Sequence, residues 1–143
     1  MTHIDFYILS DDASAARWHF ACRLIDKVTR LGHRVLVTLD DPAEAQEFDE
    51  LLWTFKPESF IPHACLPCDR LEQVEITTDL QSEIPLHNHH NVLLNLSSRV
   101  PAYFSRFERL SEVVIQQPEV LKNTREHYSF YRERGYPIQH RNL

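Results

Sequence analysis

Ile4-Asp5-Phe6-Tyr7-Ile8-Leu9 and Arg34-Val35-Leu36-Val37-Thr38-Leu39 are two short apolar runs separated by a stretch of helical period. Runs of this length, bounded by polar residues, read as buried strands. Between them Asp11, Asp12 and Ser14 supply capping chemistry, and Trp18, Cys22, Ile25 and Val28 follow at helical spacing. Gly32 is placed to end that helix, because a residue without Cβ takes the left-handed conformation at no steric cost. Strand, helix, strand is the unit of a parallel sheet, since parallel neighbours need a crossover that is usually helical.

The same alternation continues outward. Asp41-Pro42-Ala43-Glu44 offers a cap, a proline at the first helical position and a glutamate placed for a capping box. Ala45, Phe48, Leu52 and Phe55 then mark a buried helix face. Pro57, Pro62 and Pro67 break regular structure, so the chain from there to Asp69 is expected to be an extended surface loop that carries Phe60 and Ile61. Residues 74–77, 92–96 and 113–115 read as strands, and residues 101–110 suit a short helix. Pro118 and Gly135-Tyr136-Pro137 bracket a last helix of about four to five turns, after which residues 139–143 are expected to be disordered. The expectation is a single domain over residues 1–143, a three-layer α/β/α fold with a largely parallel sheet.

Such a sheet invites a nucleotide, but phosphate loops need glycines so that backbone amides can approach the phosphates. The chain has two glycines in all, both used as helix stops. The fold is therefore expected to be Rossmann-like without a nucleotide-binding loop, and no cofactor is expected. A nucleophile elbow and paired carboxylates at a strand end are both lacking, so no catalytic centre is read. Fifteen basic against twenty-one acidic residues give a formal charge of -6, which disfavours direct binding to nucleic acid or an anionic membrane. No run reaches the ~18 to 20 apolar residues of a membrane span. The first twelve residues lack the pattern of a secretory signal, and Cys22, Cys65 and Cys68 are too few and odd in number for a disulfide framework. A soluble protein of the cytoplasm is expected.

Cys65-Leu66-Pro67-Cys68 has the spacing of a zinc or redox pair, and His63, His87, His89 and His90 could complete a metal site. That makes a zinc-binding regulatory protein the alternative reading. Against it, a structural zinc site usually shows a second short-spaced ligand pair, and the plainer reading is a variable surface loop. Charge is also unevenly placed: residues 40–60 hold seven acids and one lysine, whereas residues 118–143 hold five basic side chains and three acids. Two different surfaces are implied.

Two longer segments carry a family resemblance. One runs from Leu51 through Trp53 and Pro57-Glu58-Ser59-Phe60-Ile61-Pro62 to His63, the other is Arg125-Glu126-His127-Tyr128-Ser129-Phe130-Tyr131-Arg132 with its continuation to Tyr136. Together with Phe6-Tyr7, Asn91 to Leu96, Pro101 to Arg109 and Glu112-Val113-Val114, they resemble the chi subunit family of bacterial DNA polymerase III over nearly the whole chain. The resemblance implies a clamp-loader accessory protein without an active site. It would join the psi subunit to the acidic C-terminal tail of single-stranded-DNA-binding protein, which ends in phenylalanine with a free carboxylate.

Such a tail needs cations beside an apolar pocket. Lys122, Arg125, Ser129 and Arg132 fall at spacings of three, four and three on the last helix, one stripe, with Tyr128 and Tyr131 alongside. Arg125 is assigned to the terminal carboxylate, because a guanidinium offers two parallel donors, with Lys122 and Arg132 steering the acidic residues. Ser129 stands where some relatives are basic, so His127 is expected to add charge at low pH. Trp53, Phe60, Ile61, Pro62 and His63 combine aromatic anchors with pre-extended backbone and are assigned to psi. The plainer alternatives are that the tyrosines face the core beneath a solvated basic face, and that Trp53 merely completes a buried helix face.

Overall fold

The computed structural model describes residues 1–56, 61–66, 72–82 and 89–143. Its first strand, β1 (His3–Ile8), leads into α1 (Ser14–Arg30), β2 (Val35–Thr38) and α2 (Pro42–Thr54). Then come β3 (His63–Cys65), β4 (Val74–Thr77), β5 (Val92–Asn95), a 3-10 turn (Phe104–Arg106), β6 (Arg109–Val114), α3 (Pro118–Glu133) and β7 (Ile138–Asn142). The seven strands form one sheet in the order β3-β4-β2-β5-β6-β1-β7, and every pairing is parallel.

Period-two alternation sends the two sides of each strand into two different cores. Val35, Val37, Val74, Ile76 and Leu94 pack with Cys22 and Ile25 of α1 and with Ala45, Phe48 and Leu52 of α2. Leu36, Leu93, Ile4, Phe6 and Leu110 pack on the opposite face with Tyr103, Phe104, Phe107 and Tyr131. Helices therefore cover both faces, and the expected three-layer α/β architecture is observed. The buried faces read from α1 and α2 are those that pack, and Gly32 and Gly135 both take positive φ, +87° and +78°.

Asp41 caps α2 by accepting the Glu44 amide at 2.9 Å, a bond worth about 1 kcal/mol. The caps read for α1 are a correction. Its N-cap is Ala13, without a side-chain bond, and Asp11 instead accepts the Gln116 amide on its backbone carbonyl at 2.7 Å.

Three further expectations are corrected. Residues 101–110 are not a helix. The 3-10 turn is all that coils, because Arg109 and Leu110 already pair with β1 and β5. Within the stretch expected to be loop, residues 63–65 form the edge strand β3. The segment 138–142, most of it expected to be disordered, is strand β7. It pairs parallel with β1, and the Leu143 amide donates to the Ile8 carbonyl at 3.0 Å. Among the described residues no helix is long and apolar enough to cross a membrane.

Candidate partner-binding surfaces

Helix α3 begins with Pro118 at its first position, where the missing N–H costs nothing, and it presents two unlike sides. Inward, His127 and Tyr131 are buried against Glu112 of β6. The Tyr131 hydroxyl donates to Glu112 at 2.7 Å, and Asn95 of β5 donates to the same carboxylate at 3.0 Å. Burial and the neighbouring Glu112 charge push the Tyr131 phenol well up. Asn95 in turn accepts from Thr38 at 2.9 Å and is bonded to Ser97, so a polar network crosses the buried centre of the sheet with its members satisfied.

Outward, Lys122, Arg125, Ser129 and Arg132 are all exposed, on the stripe their spacing predicts. None of the three cations has a carboxylate partner among the described residues. By contrast Arg30, Arg34, Arg109 and Arg141 are each ion-paired. Tyr128 is partly buried at the edge of this stripe, 6.0 Å from Phe6. Two residues expected at this surface lie elsewhere: Tyr131, fully buried, and His127, 4% exposed, pack in the core.

The second surface divides in the same way. Trp53, at the end of α2, is 45% exposed, with its ring 4.3 Å from that of His63. Pro62 is exposed. Ile61 is 3% exposed and packs in the core beneath α1 and α2. His63 is buried, with Nδ1 2.6 Å from the Ile61 carbonyl and Nε2 3.0 Å from the Asp49 carbonyl. Ile61 and His63 thus shape this surface from beneath, while Trp53 and Pro62 face solvent. Phe60 lies outside the described residues.

A crevice of about 250 Å³ opens at the carboxyl ends of β2 and β5, lined by Arg17, Asp40, Glu44, Ser98, Glu112 and Glu119 among others. This is the switch point where folds of this topology hold a nucleotide. Here its carboxylates oppose a phosphate, and the hydroxyl and amide of Ser98 are spent on Asp40 at 2.9 and 2.8 Å. Burial, with Asp40 and Asp41 nearby, raises the Glu44 carboxyl pKa.

The metal reading finds no convergent ligand set: among the described residues no three of His, Cys, Asp or Glu are placed to share an ion. Of its candidates, His63 is held by carbonyls and His89 by Glu75, while Cys68 and His87 lie outside the described residues. Burial pushes the Cys22 thiol up to about 12 and raises that of Cys65, which leaves neither poised as a nucleophile.

Glu112, Asn95 and His140 escaped the reading of the sequence as functional or organising residues. The one available signal was the carboxylate of Glu112 among the inward-facing residues of a strand, Leu110-Ser111-Glu112-Val113-Val114, which demands a buried partner.

Fold and surfaces together define a parallel three-layer α/β domain with an acid-lined switch crevice, a cationic helix stripe and an exposed tryptophan. Comparison with known proteins gives this a family. The profile described as "DNA polymerase III chi subunit, HolC" matches residues 1–139. DNA polymerase III subunit chi of Pseudomonas aeruginosa is 36% identical over 143 residues, covering 100% of this chain and 98% of the relative. The proteins of that name from Haemophilus influenzae and Escherichia coli are 27% and 25% identical, each over 96% of this chain and 95% and 96% of their own length. The chain belongs to the chi subunit family of DNA polymerase III, a family of replication accessory subunits.

Proposed function

We propose that this chain is a non-catalytic adaptor of the cytoplasmic clamp-loader complex. It bridges the psi subunit to the acidic, phenylalanine-terminated tail of single-stranded-DNA-binding protein, without binding nucleic acid itself. The observation that carries the reading is the stripe of Lys122, Arg125 and Arg132: three exposed cations without ion-pair partners among the described residues, in a chain of net charge -6. Unpaired cations on one side of a helix attract an acidic segment over a distance set by the Debye length, about 10 Å at 0.1 M salt. Arg125 stands one turn before Tyr128, so a C-terminal residue can place its carboxylate on the guanidinium and its side chain on the ring. Trp53 and Pro62 form the psi contact with Phe60.

The test is titration of a fluorescent peptide copying such a tail against the wild type and Arg125→Ala, at low and moderate salt. Binding should weaken with salt and fall about tenfold or more in the variant, the usual cost of removing one partner of a charge-assisted contact. A folded wild type that ignores the peptide overturns the tail-binding half of the proposal.

A further inference from the structure

Tyr128 is held by more than its own helix. Its ring lies 5.4 Å from that of His140 on β7, and His140 stacks on Phe6 of β1 at 5.7 Å with the planes 22° apart. Phe6 is buried, Tyr128 partly buried and His140 exposed. Two rings, backed by the buried ring of Phe6, therefore make one stepped aromatic surface running from α3 to the edge of the sheet. Arg125 and Arg132 stand three residues before and four residues after Tyr128, so both share its side of the helix. Asp5 and Arg141, the chain neighbours of Phe6 and His140, alternate to the other face of the sheet, where Arg141 donates to Asp5 at 3.2 Å.

The opposite flank of α3 is less suited to an acidic aromatic end. From Arg125, which borders both flanks, a shallow depression there runs over Glu126, Ser129, Phe130, Glu133 and Arg134. Its two glutamates repel an acidic chain, and the guanidinium of Arg134 already lies 3.6 Å over the Phe130 ring.

We propose that His140 forms the second wall of the tail site: the terminal phenyl group rests across the adjoining rings of His140 and Tyr128, while Arg125 takes the carboxylate. The proposal rests on the tail-binding reading above and adds to it a residue from outside α3. The chemistry favours it because in a C-terminal phenylalanine the ring and the carboxylate branch from one carbon. Its receptor must therefore set a cation directly beside an aromatic surface, and one half-covered tyrosine shields a phenyl group from water on one side only.

The experiment measures the affinity of two tail peptides, one ending in phenylalanine and one in alanine. They are titrated against the wild type, Arg125→Ala, His140→Phe, His140→Ala and His140→Glu, and thermal midpoints confirm that each variant is folded. His140→Phe keeps the wall and should bind within about twofold of wild type. His140→Ala should lose about fivefold for the phenylalanine-ended peptide and little for the other, the size of one aromatic contact. His140→Glu should lose more than His140→Ala. If Arg125→Ala abolishes binding while all three His140 variants bind as the wild type, His140 is no part of the site and the tail reading stands. Equal losses for both peptides in His140→Ala also overturn the proposal, and no binding by the wild type overturns both.

Discussion

The imidazole of His127 donates from Nδ1 to the Glu112 carboxylate at 3.0 Å and from Nε2 to the Ser98 carbonyl at 2.9 Å. An acceptor faces each nitrogen, so the ring satisfies both only when it carries both protons, and in that form it ties α3 to β6 and to the turn after β5. Burial alone would lower the pKa of His127. The Glu112 charge and hydrogen bond, the Ser98 carbonyl and the Glu126 charge outweigh it, so the net shift is upward.

A pH dependence follows from this pair. A histidine with a raised folded pKa contributes its full stability below the unfolded value, about 6.5, and loses it as the pH rises through the folded value. His89 behaves oppositely: burial, chiefly, lowers its pKa, so its contribution is present above about 6.5 and is lost as the pH falls. The thermal midpoint should therefore decline on both sides. In His127→Gln the alkaline decline should flatten while the acid decline persists. His127→Ala should cost about 3–5 kcal/mol by stranding the Glu112 charge, which chemical denaturation would read directly.

On the other face of the sheet, the Asp5 side chain is buried between Arg109 of β6 at 3.1 Å and Arg141 of β7 at 3.2 Å. Either arginine can neutralise it when the other is removed. Arg109→Ala and Arg141→Ala should each cost less than about 1 kcal/mol, as expected for partly exposed pairs. The double variant should cost more than the sum, because only then is a buried carboxylate left without a cation. Additive losses in urea denaturation would count against this account.

If the surface around Trp53 meets psi as proposed, Trp53 and Ile61 separate binding from folding within it. Trp53→Ala should leave the thermal midpoint close to wild type and abolish co-purification of psi, whereas Ile61→Ala should cost about 2–5 kcal/mol as a core truncation. Retained capture of psi by Trp53→Ala would remove this surface from the proposal.

The parts of the fold that could be read in advance were those whose sequence carries its own period. The two apolar runs around α1, the Asp41 cap and the Pro118 start all appear where the chain spells them out. What escaped is set by long-range partners. Nothing local marks residues 138–142 as a strand, since at the sheet edge only Ile138 and Arg141 are partly covered. His127 and Tyr131 read as candidates for a surface because their register on α3 touches the cationic stripe, and only the position of Glu112 shows them turned inward. The stripe itself was legible because exposed residues on a helix obey spacing alone. His140 was not, because its neighbours Phe6 and Tyr128 are distant in sequence.

The order of the sheet also bears on synthesis. Strand β1 is the earliest made, yet its two neighbours are β6 and β7, the last two. As the chain grows, β2, β4 and β5 can assemble among themselves, while β1 waits with both edges open. Such non-local pairing slows folding and leaves an apolar edge available to wrong partners meanwhile. The aromatic surface built from Phe6, Tyr128 and His140 can exist only after that final closure, so a chain whose β7 has not yet docked on β1 presents no such surface for a partner to engage.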